Sequence, residues 1–383
     1  SPRGGELRIR LEQLLGHHSV LTDRLARARL RGDVDFAQSA DAALVKNTED
    51  MRDLVASLYG EKAGERFADV WASHVRYVAT YAGALREGDR QEMRRARRGL
   101  ENYVRSLSRF FSRATDGAAP AATLRAGLRM HTRHLLEQAD AYHAEDYERA
   151  YSLGRQGYRH TFVMGKQLAS AMTRGAGKPL PRDFESPQRE LQSTLGLLLG
   201  EHVELAVDTM RAGVGNWPDF DAAAAGLNGN TGDLTAAIES VFGERSADEF
   251  LSLWSDHIDT FMAYTQAVAA EDDAAKDAAT RRFARFNQRF SAFLRNATEG
   301  RLTSPSLATE FHKHEELLLA QIDDYASADY EGAHDLTFEA YQHMFALADA
   351  TATAIGGTAA ARRPRGGAQT GGERAGLFDV WRG

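Results

Sequence analysis

The sequence predicts an all-α protein of two tandem, homologous helical-bundle domains with about six helices each. Ala, Leu, Glu and Arg dominate the composition, whereas strand signals are scarce. Apolar residues recur at spacings of three or four, as on one face of a helix. The sequence also aligns with itself at an offset of 184 residues, which becomes 183 before the Asn-Thr pair that begins at Asn47.

The helices of the first copy are predicted at roughly 5–30, 34–58, 62–86, 89–113, 121–142 and 145–172. Glycines separate several of these segments, at Gly32, Gly60, Gly88 and Gly117. The helices of the second copy are predicted at roughly 188–212, 218–241, 245–269, 272–297, 305–325 and 328–355. The two domains are therefore assigned to residues 5–173 and 188–357.

A linker and a tail complete the predicted organisation. Residues 174–187 hold three of the eight prolines and are assigned as the linker. Residues 358–383 are rich in Gly and Arg and are predicted to be disordered.

Histidines are the residues that the two copies share most clearly. Eight of the thirteen histidines form four matched pairs, whereas intervening surface positions differ freely. The pairs are His18 with His202, His74 with His257, His131 with His314, and His160 with His343. The five unrepeated histidines are expected mostly at the surface, although His17 is adjacent to His18.

Helical periodicity places each repeated histidine on the apolar face of its helix, as Phe67, Trp71, His74 and Val78 illustrate. A buried polar group without a partner costs about 1–3 kcal/mol, so each imidazole needs a partner. For one histidine, a hydrogen bond to a backbone carbonyl or a repeated polar side chain is the commoner arrangement. Four histidines on four helices, retained in both copies, favour a single metal ion bound by all four imidazoles.

The ligand types available restrict the metal. Cysteine is absent, which leaves His, carboxylates and amides and favours Zn or Cu, with Fe also possible. Residues expected near the bound group are Asn47, Trp71, Asn230 and Trp254. Haem held between two histidines, with Trp71 and Phe162 around it, is the alternative cofactor, although covalent CxxCH attachment is excluded.

Familiar catalytic motifs are missing from the sequence. HExxH, GxSxG, a complete GxxxxGK[ST], and Glu-x-x-His at the repeated histidines are absent, so no catalytic residue is predicted and enzymatic activity is disfavoured. Three classes of function remain open: a metal-binding protein for storage, transfer or sensing; a haem-binding or metal-dependent redox protein; and a metal-free helical scaffold. An open coordination position would distinguish the second class from the first.

The charges divide unevenly between the copies. Residues 1–183 hold 31 Lys+Arg against 23 Asp+Glu, and the remainder holds 16 against 31. Opposite charges favour docking of one half on the other or head-to-tail self-association. Nucleic-acid binding is disfavoured, because the basic run Arg94–Arg98 lacks interleaved aromatics and a counterpart in the second copy. No apolar run is long enough for a transmembrane segment.

The runs LLGEH, DFDAAAAGLNGNTGDLTAAIESVFGE and LWSDHI, with the later DYE and YQHMF, resemble a helical repeat of exported bacterial proteins. The resemblance covers both copies. It implies export, a helical fold and a metal at the repeated histidines. Such proteins are sometimes labelled copper amine oxidase-like, but the N-Y-D/E setting of the quinone-forming Tyr is absent here. An extracytoplasmic or cell-surface location is expected, and the Ser1 start fits either a cleaved export signal or a trimmed chain.

Overall fold

The computed structural model describes residues 4–175, 179–302 and 304–361. Every regular element in these ranges is an α-helix, which confirms the predicted fold class. The helices are α1 (Gly4–Arg31), α2 (Val34–Tyr59), α3 (Glu61–Glu87), α4 (Arg90–Ala114), α5 (Ala121–His143), α6 (Tyr147–Arg174), α7 (Pro187–Val214), α8 (Phe220–Phe242), α9 (Glu244–Ala269), α10 (Asp273–Ala297), α11 (Ser304–Ala326) and α12 (Tyr330–Ala361). Among them, none is long and apolar enough to cross a membrane.

The segments outside the two repeats depart from the sequence prediction in part. Helix α12 continues to Ala361, past the predicted end of the second domain, so the first four residues of the predicted tail are helical. The rest of that tail, residues 362–383, lies outside the described residues. Within the predicted linker, Phe184 packs on α1, because this residue is buried and its carbonyl oxygen accepts a hydrogen bond from Arg8.

Helix ends recur at equivalent positions of the two repeats. Gly60 and Gly243 separate the second and third helices of each repeat, with φ of 90° and 87°. This backbone conformation is unfavourable for residues other than glycine. Asp89 and Asp272 cap the fourth helices, and each side chain accepts hydrogen bonds from backbone N–H groups of the first turn. The glycines and capping aspartates that end or begin these helices therefore occur at equivalent positions in both repeats.

Helices α1 and α7 are the central helices of the two bundles. α1 contacts α2, α3, α5 and α6, and α7 contacts α8, α9, α11 and α12 in the same way. Most residues of both central helices are buried, including charged residues such as Arg8, Glu12 and Arg24. The middle of each central helix is therefore surrounded by other helices.

The contacts between the halves are reciprocal. α1 packs on α7, while α2 packs on α12 and the equivalent helix α8 packs on α6. Phe162 stacks on its own counterpart Phe345, with ring centroids 6.2 Å apart. An interface in which equivalent residues meet is that of a two-fold relation. The repeats are thus arranged as an intramolecular pseudo-dimer.

Opposite charges meet within the chain across this interface. The buried Arg24 guanidinium contacts Asp208 at 2.6 Å and Glu204 at 2.7 Å. At the edges of the interface, Arg155 and Arg159 both contact Glu201, and exposed Lys46 contacts two acidic residues of α12. The uneven charge of the halves is thus partly satisfied by their docking on each other.

Candidate metal centres

Three of the four predicted histidines of the first repeat meet in its core. His18 on α1, His74 on α3 and His131 on α5 are buried, and one ring nitrogen of each lies within 4.8 Å of those of the others. They meet because the central helix α1 contacts both α3 and α5. We call these three residues triad 1.

Hydrogen bonds orient two imidazoles of triad 1. His74 Nδ1–H donates to the carbonyl oxygen of Trp71, one turn earlier on α3, which leaves Nε2 of a neutral His74 with a free lone pair. That Nε2 lies 2.8 Å from Nε2 of His18. Neither ring nitrogen of His131 has a hydrogen-bond partner.

Aromatic rings enclose triad 1. The indole of Trp71 lies 4.6 Å from the His18 ring, and Tyr103 stacks on His74 at 4.3 Å. Burial lowers the pKa of all three imidazoles, to about 3 for His74. Their proximity to one another further lowers the pKa of His18 and His131. At neutral pH the three rings are therefore neutral, the form that binds metals.

The second repeat contains an equivalent cluster, triad 2, formed by His202 on α7, His257 on α9 and His314 on α11. The three ring centroids lie 5.8 to 5.9 Å apart, so this triangle is nearly equilateral. None of the six ring nitrogens makes a hydrogen bond. Burial lowers the pKa of each ring, to about 3 for His202.

A buried carboxyl group distinguishes triad 2 from triad 1. Glu315 Oε1 lies 3.7 Å from Nδ1 of His257, and its Oε2 accepts a hydrogen bond of 2.7 Å from Asn287. Burial raises the pKa of Glu315 to about 8. The equivalent residues in the first repeat are Thr132 and Val104. The sequence does contain a signal for the Asn287–Glu315 pair that was not used in the prediction. Two positions that are Val and Thr in the first repeat are both polar, Asn and Glu, in the second.

The fourth histidine of each repeat does not join its triad. His160 Nε2 contacts the carbonyl oxygen of Gly127 at 2.9 Å, and His343 Nε2 contacts that of Glu310 at the same distance. The two carbonyls occupy equivalent positions on α5 and α11. The predicted four-histidine site is therefore corrected to three, because these rings bond to the backbone of the neighbouring helix.

The residues predicted to surround the bound group support the triads without joining them. Asn47 and Asn230 donate to the carbonyl oxygens of Leu14 and Leu198 on the central helices, one turn before His18 and His202. Trp71 and Trp254 pack against the same two histidines. Phe162, by contrast, lies at the interface between the repeats.

The expectation that the unrepeated histidines lie at the surface is wrong for three of the five. His143 and His312 are exposed, whereas His17, His134 and His334 are buried. His17 bonds Glu204 of the second repeat at 2.8 Å, so it serves the interface and not triad 1.

These triads are groups that can hold a metal ion. The chemistry of the donor set fits a transition metal, because neutral imidazoles with unpartnered nitrogens face one another in a buried space. No known protein family, curated protein or solved structure shows a significant match to the chain.

Proposed function

We propose that this protein binds transition-metal ions, one in each triad, for storage, transfer or sensing. The observation that carries the proposal is the set of unpartnered ring nitrogens, which includes both nitrogens of His131 and all six of triad 2. Each buried, unsatisfied polar group costs about 1–3 kcal/mol, so triad 2 alone would lower stability substantially without a ligand. A single ion bound by three imidazoles would remove much of that cost.

Zn or Cu suits this donor set best. Imidazole nitrogen binds both metals well, whereas Mg and Ca prefer oxygen ligands, and the chain offers no thiolate. The lowered pKa values also favour binding, because protons compete with a metal for the same nitrogens. Fe remains the third choice.

Haem fits the triads less well than a bare ion. A porphyrin held by two axial histidines lies between their rings. The 2.8 Å contact between His18 and His74 leaves no such space, and His257 is stacked on Phe286 at 4.4 Å. The burial of all six histidines likewise favours retention of an ion over turnover of a substrate.

Metal analysis of the full chain tests the proposal. We expect two equivalents of metal after loading, one after His74→Ala or His257→Ala, and two after His160→Ala, which is the matched control outside the triads. Elemental analysis gives the stoichiometry, and a visible spectrum distinguishes Cu or haem from Zn. A chain that binds no metal, or loses none on either triad substitution, would contradict the proposal.

A metal-free scaffold is the second candidate, and one distance favours it. Tetrahedral zinc with Zn–N bonds of 2.0–2.1 Å places its ligand nitrogens about 3.3 Å apart. His18 and His74 are closer, at 2.8 Å, which is the length of an N–H···N hydrogen bond. In a scaffold, this shared proton would link α1 to α3, and His74→Ala would lower stability equally with and without added metal.

A further inference from the structure

The first repeat contains an apolar cavity of about 510 Å³ beside triad 1. Each of the six helices of the repeat supplies at least one buried apolar residue to its wall. These residues are Leu15, Met51, Trp71, Leu107, Leu128 and Leu168. The opening carries exposed Thr123 and Gln167 and half-buried Lys166, together with exposed Pro120 and Val163. The cavity is therefore apolar inside, and its polar groups lie at the mouth.

Larger side chains occupy two adjacent places of the equivalent wall in the second repeat. Phe290 and Phe311 stand where the first repeat has Leu107 and Leu128. Their ring centroids are 4.8 Å apart, and Phe290 lies 5.5 Å from Trp254, so the rings pack together in that core. Other lining residues change in the opposite sense, among them Phe111 to Leu294, Val163 to Ala346 and Leu168 to Thr351.

We propose that this cavity binds a small, uncharged, mostly aliphatic molecule whose polar end lies at the mouth. Its volume falls in the range of small-molecule sites, which are mainly apolar with a few polar groups. A neutral end group suits the mouth, because Lys166 is already paired with Glu190 at 2.8 Å and with Glu185 at 3.5 Å. An unfilled cavity of this size forfeits packing contacts that a ligand would restore.

Binding of a neutral fluorescent probe to the full chain tests this proposal. We expect one molecule of N-phenylnaphthylamine per chain, with energy transfer from Trp71, and displacement by decanol at least tenfold more effectively than by decanoate. The double substitution Leu107→Phe with Leu128→Phe copies the second repeat and should weaken binding at least tenfold. The reverse pair, Phe290→Leu with Phe311→Leu, should create a second site.

The reverse pair keeps the test decisive if the first pair fails to fold, as judged by circular dichroism. Absence of saturable binding, or unchanged binding in both double variants, would overturn the proposal. A chain ending at Ala361 provides a further comparison. If it binds the probe and the full chain does not, residues 362–383 occupy the cavity and the proposed ligand is wrong.

Discussion

The hydroxyl oxygens of Tyr158 and Tyr341 lie 3.1 Å apart, and the two tyrosines occupy equivalent positions in the two repeats. The pseudo-two-fold axis that relates the repeats therefore passes between these two equivalent tyrosines. Space for the two rings is provided by another equivalent pair, Gly16 and Gly200. A Cβ at Gly16 would lie 2.6 Å from the Tyr341 hydroxyl, and one at Gly200 would lie 2.6 Å from that of Tyr158.

Removal of either hydroxyl should destabilise the interface. Tyr158→Phe leaves the buried Tyr341 hydroxyl without this partner, so we expect a loss of about 1–2 kcal/mol in the free energy of unfolding. Tyr341→Phe should have a similar effect, and the double variant should lose less than the sum of the two. Urea unfolding of the four proteins measures this coupling. Strictly additive losses would show that the two hydroxyls do not interact.

A second prediction separates buried from exposed charges at the interface. Arg24→Ala removes the closest cation of both Glu204 and Asp208, leaving Glu204 with His17 and Asp208 with Arg27 at 3.4 Å, so we expect a loss of about 3 kcal/mol. Lys46→Ala, which removes an ion pair whose Lys side chain is 49% exposed, is the control and should cost less than about 1 kcal/mol. Denaturant unfolding compares them. Similar small losses for both would mean that the Arg24 cluster contributes little to docking.

The helices of this protein follow from its sequence because helical periodicity and Gly breaks are local signals. Periodicity also identified the apolar faces that carry the triads. It could not assign a partner to each imidazole, since His131 and His160 both face the interior but only His131 points toward α1 and α3. The burial of His17 depends on how the repeats dock, a long-range relation that periodicity does not encode.

The metal-free protein should lose stability as the pH falls from about 6.5 toward 3. The folded-state pKa values of His74 and His202 are about 3, below the unfolded value of 6.5. Their unfolded forms therefore bind protons first, and stability is fully present only above about 6.5. At pH 5, each such histidine should cost about 2 kcal/mol as an upper bound.

Urea unfolding from pH 7.5 to 4, with a chelator present, checks this dependence. The double variant His74→Leu with His202→Leu should show a shallower loss of stability. His312→Ala, at an exposed histidine, should keep the slope of the parent protein. A parent protein whose stability is constant across this range would contradict neutral, buried imidazoles in the folded state.

The last prediction, which rests on the proposed metal binding, concerns the difference between the triads. A carboxylate beside the second nitrogen of a metal-bound histidine orients the ring and raises its basicity. The Glu315 carboxyl lies 3.7 Å from Nδ1 of His257, whereas the first repeat has Thr132 instead. Because burial raises its pKa to about 8, this carboxyl is protonated at neutral pH and is a carboxylate only at higher pH or when a nearby cation displaces its proton. We therefore expect triad 2 to bind metal more tightly than triad 1 above about pH 8, where Glu315 is ionised, and to lose this advantage as the pH falls.

Full chains with one triad disabled allow each site to be titrated alone. The His74→Ala chain reports triad 2, and the His257→Ala chain reports triad 1. Above about pH 8, adding Glu315→Gln to the His74→Ala chain should weaken metal binding about 10–100-fold, since loss of a carboxylate beside a metal-bound histidine typically has an effect of this size. Thr132→Ala in the His257→Ala chain is the matched control and should change little. If triad 2 has no higher affinity than triad 1 above pH 8, and Glu315→Gln leaves its affinity unchanged, Glu315 serves only its hydrogen bond with Asn287.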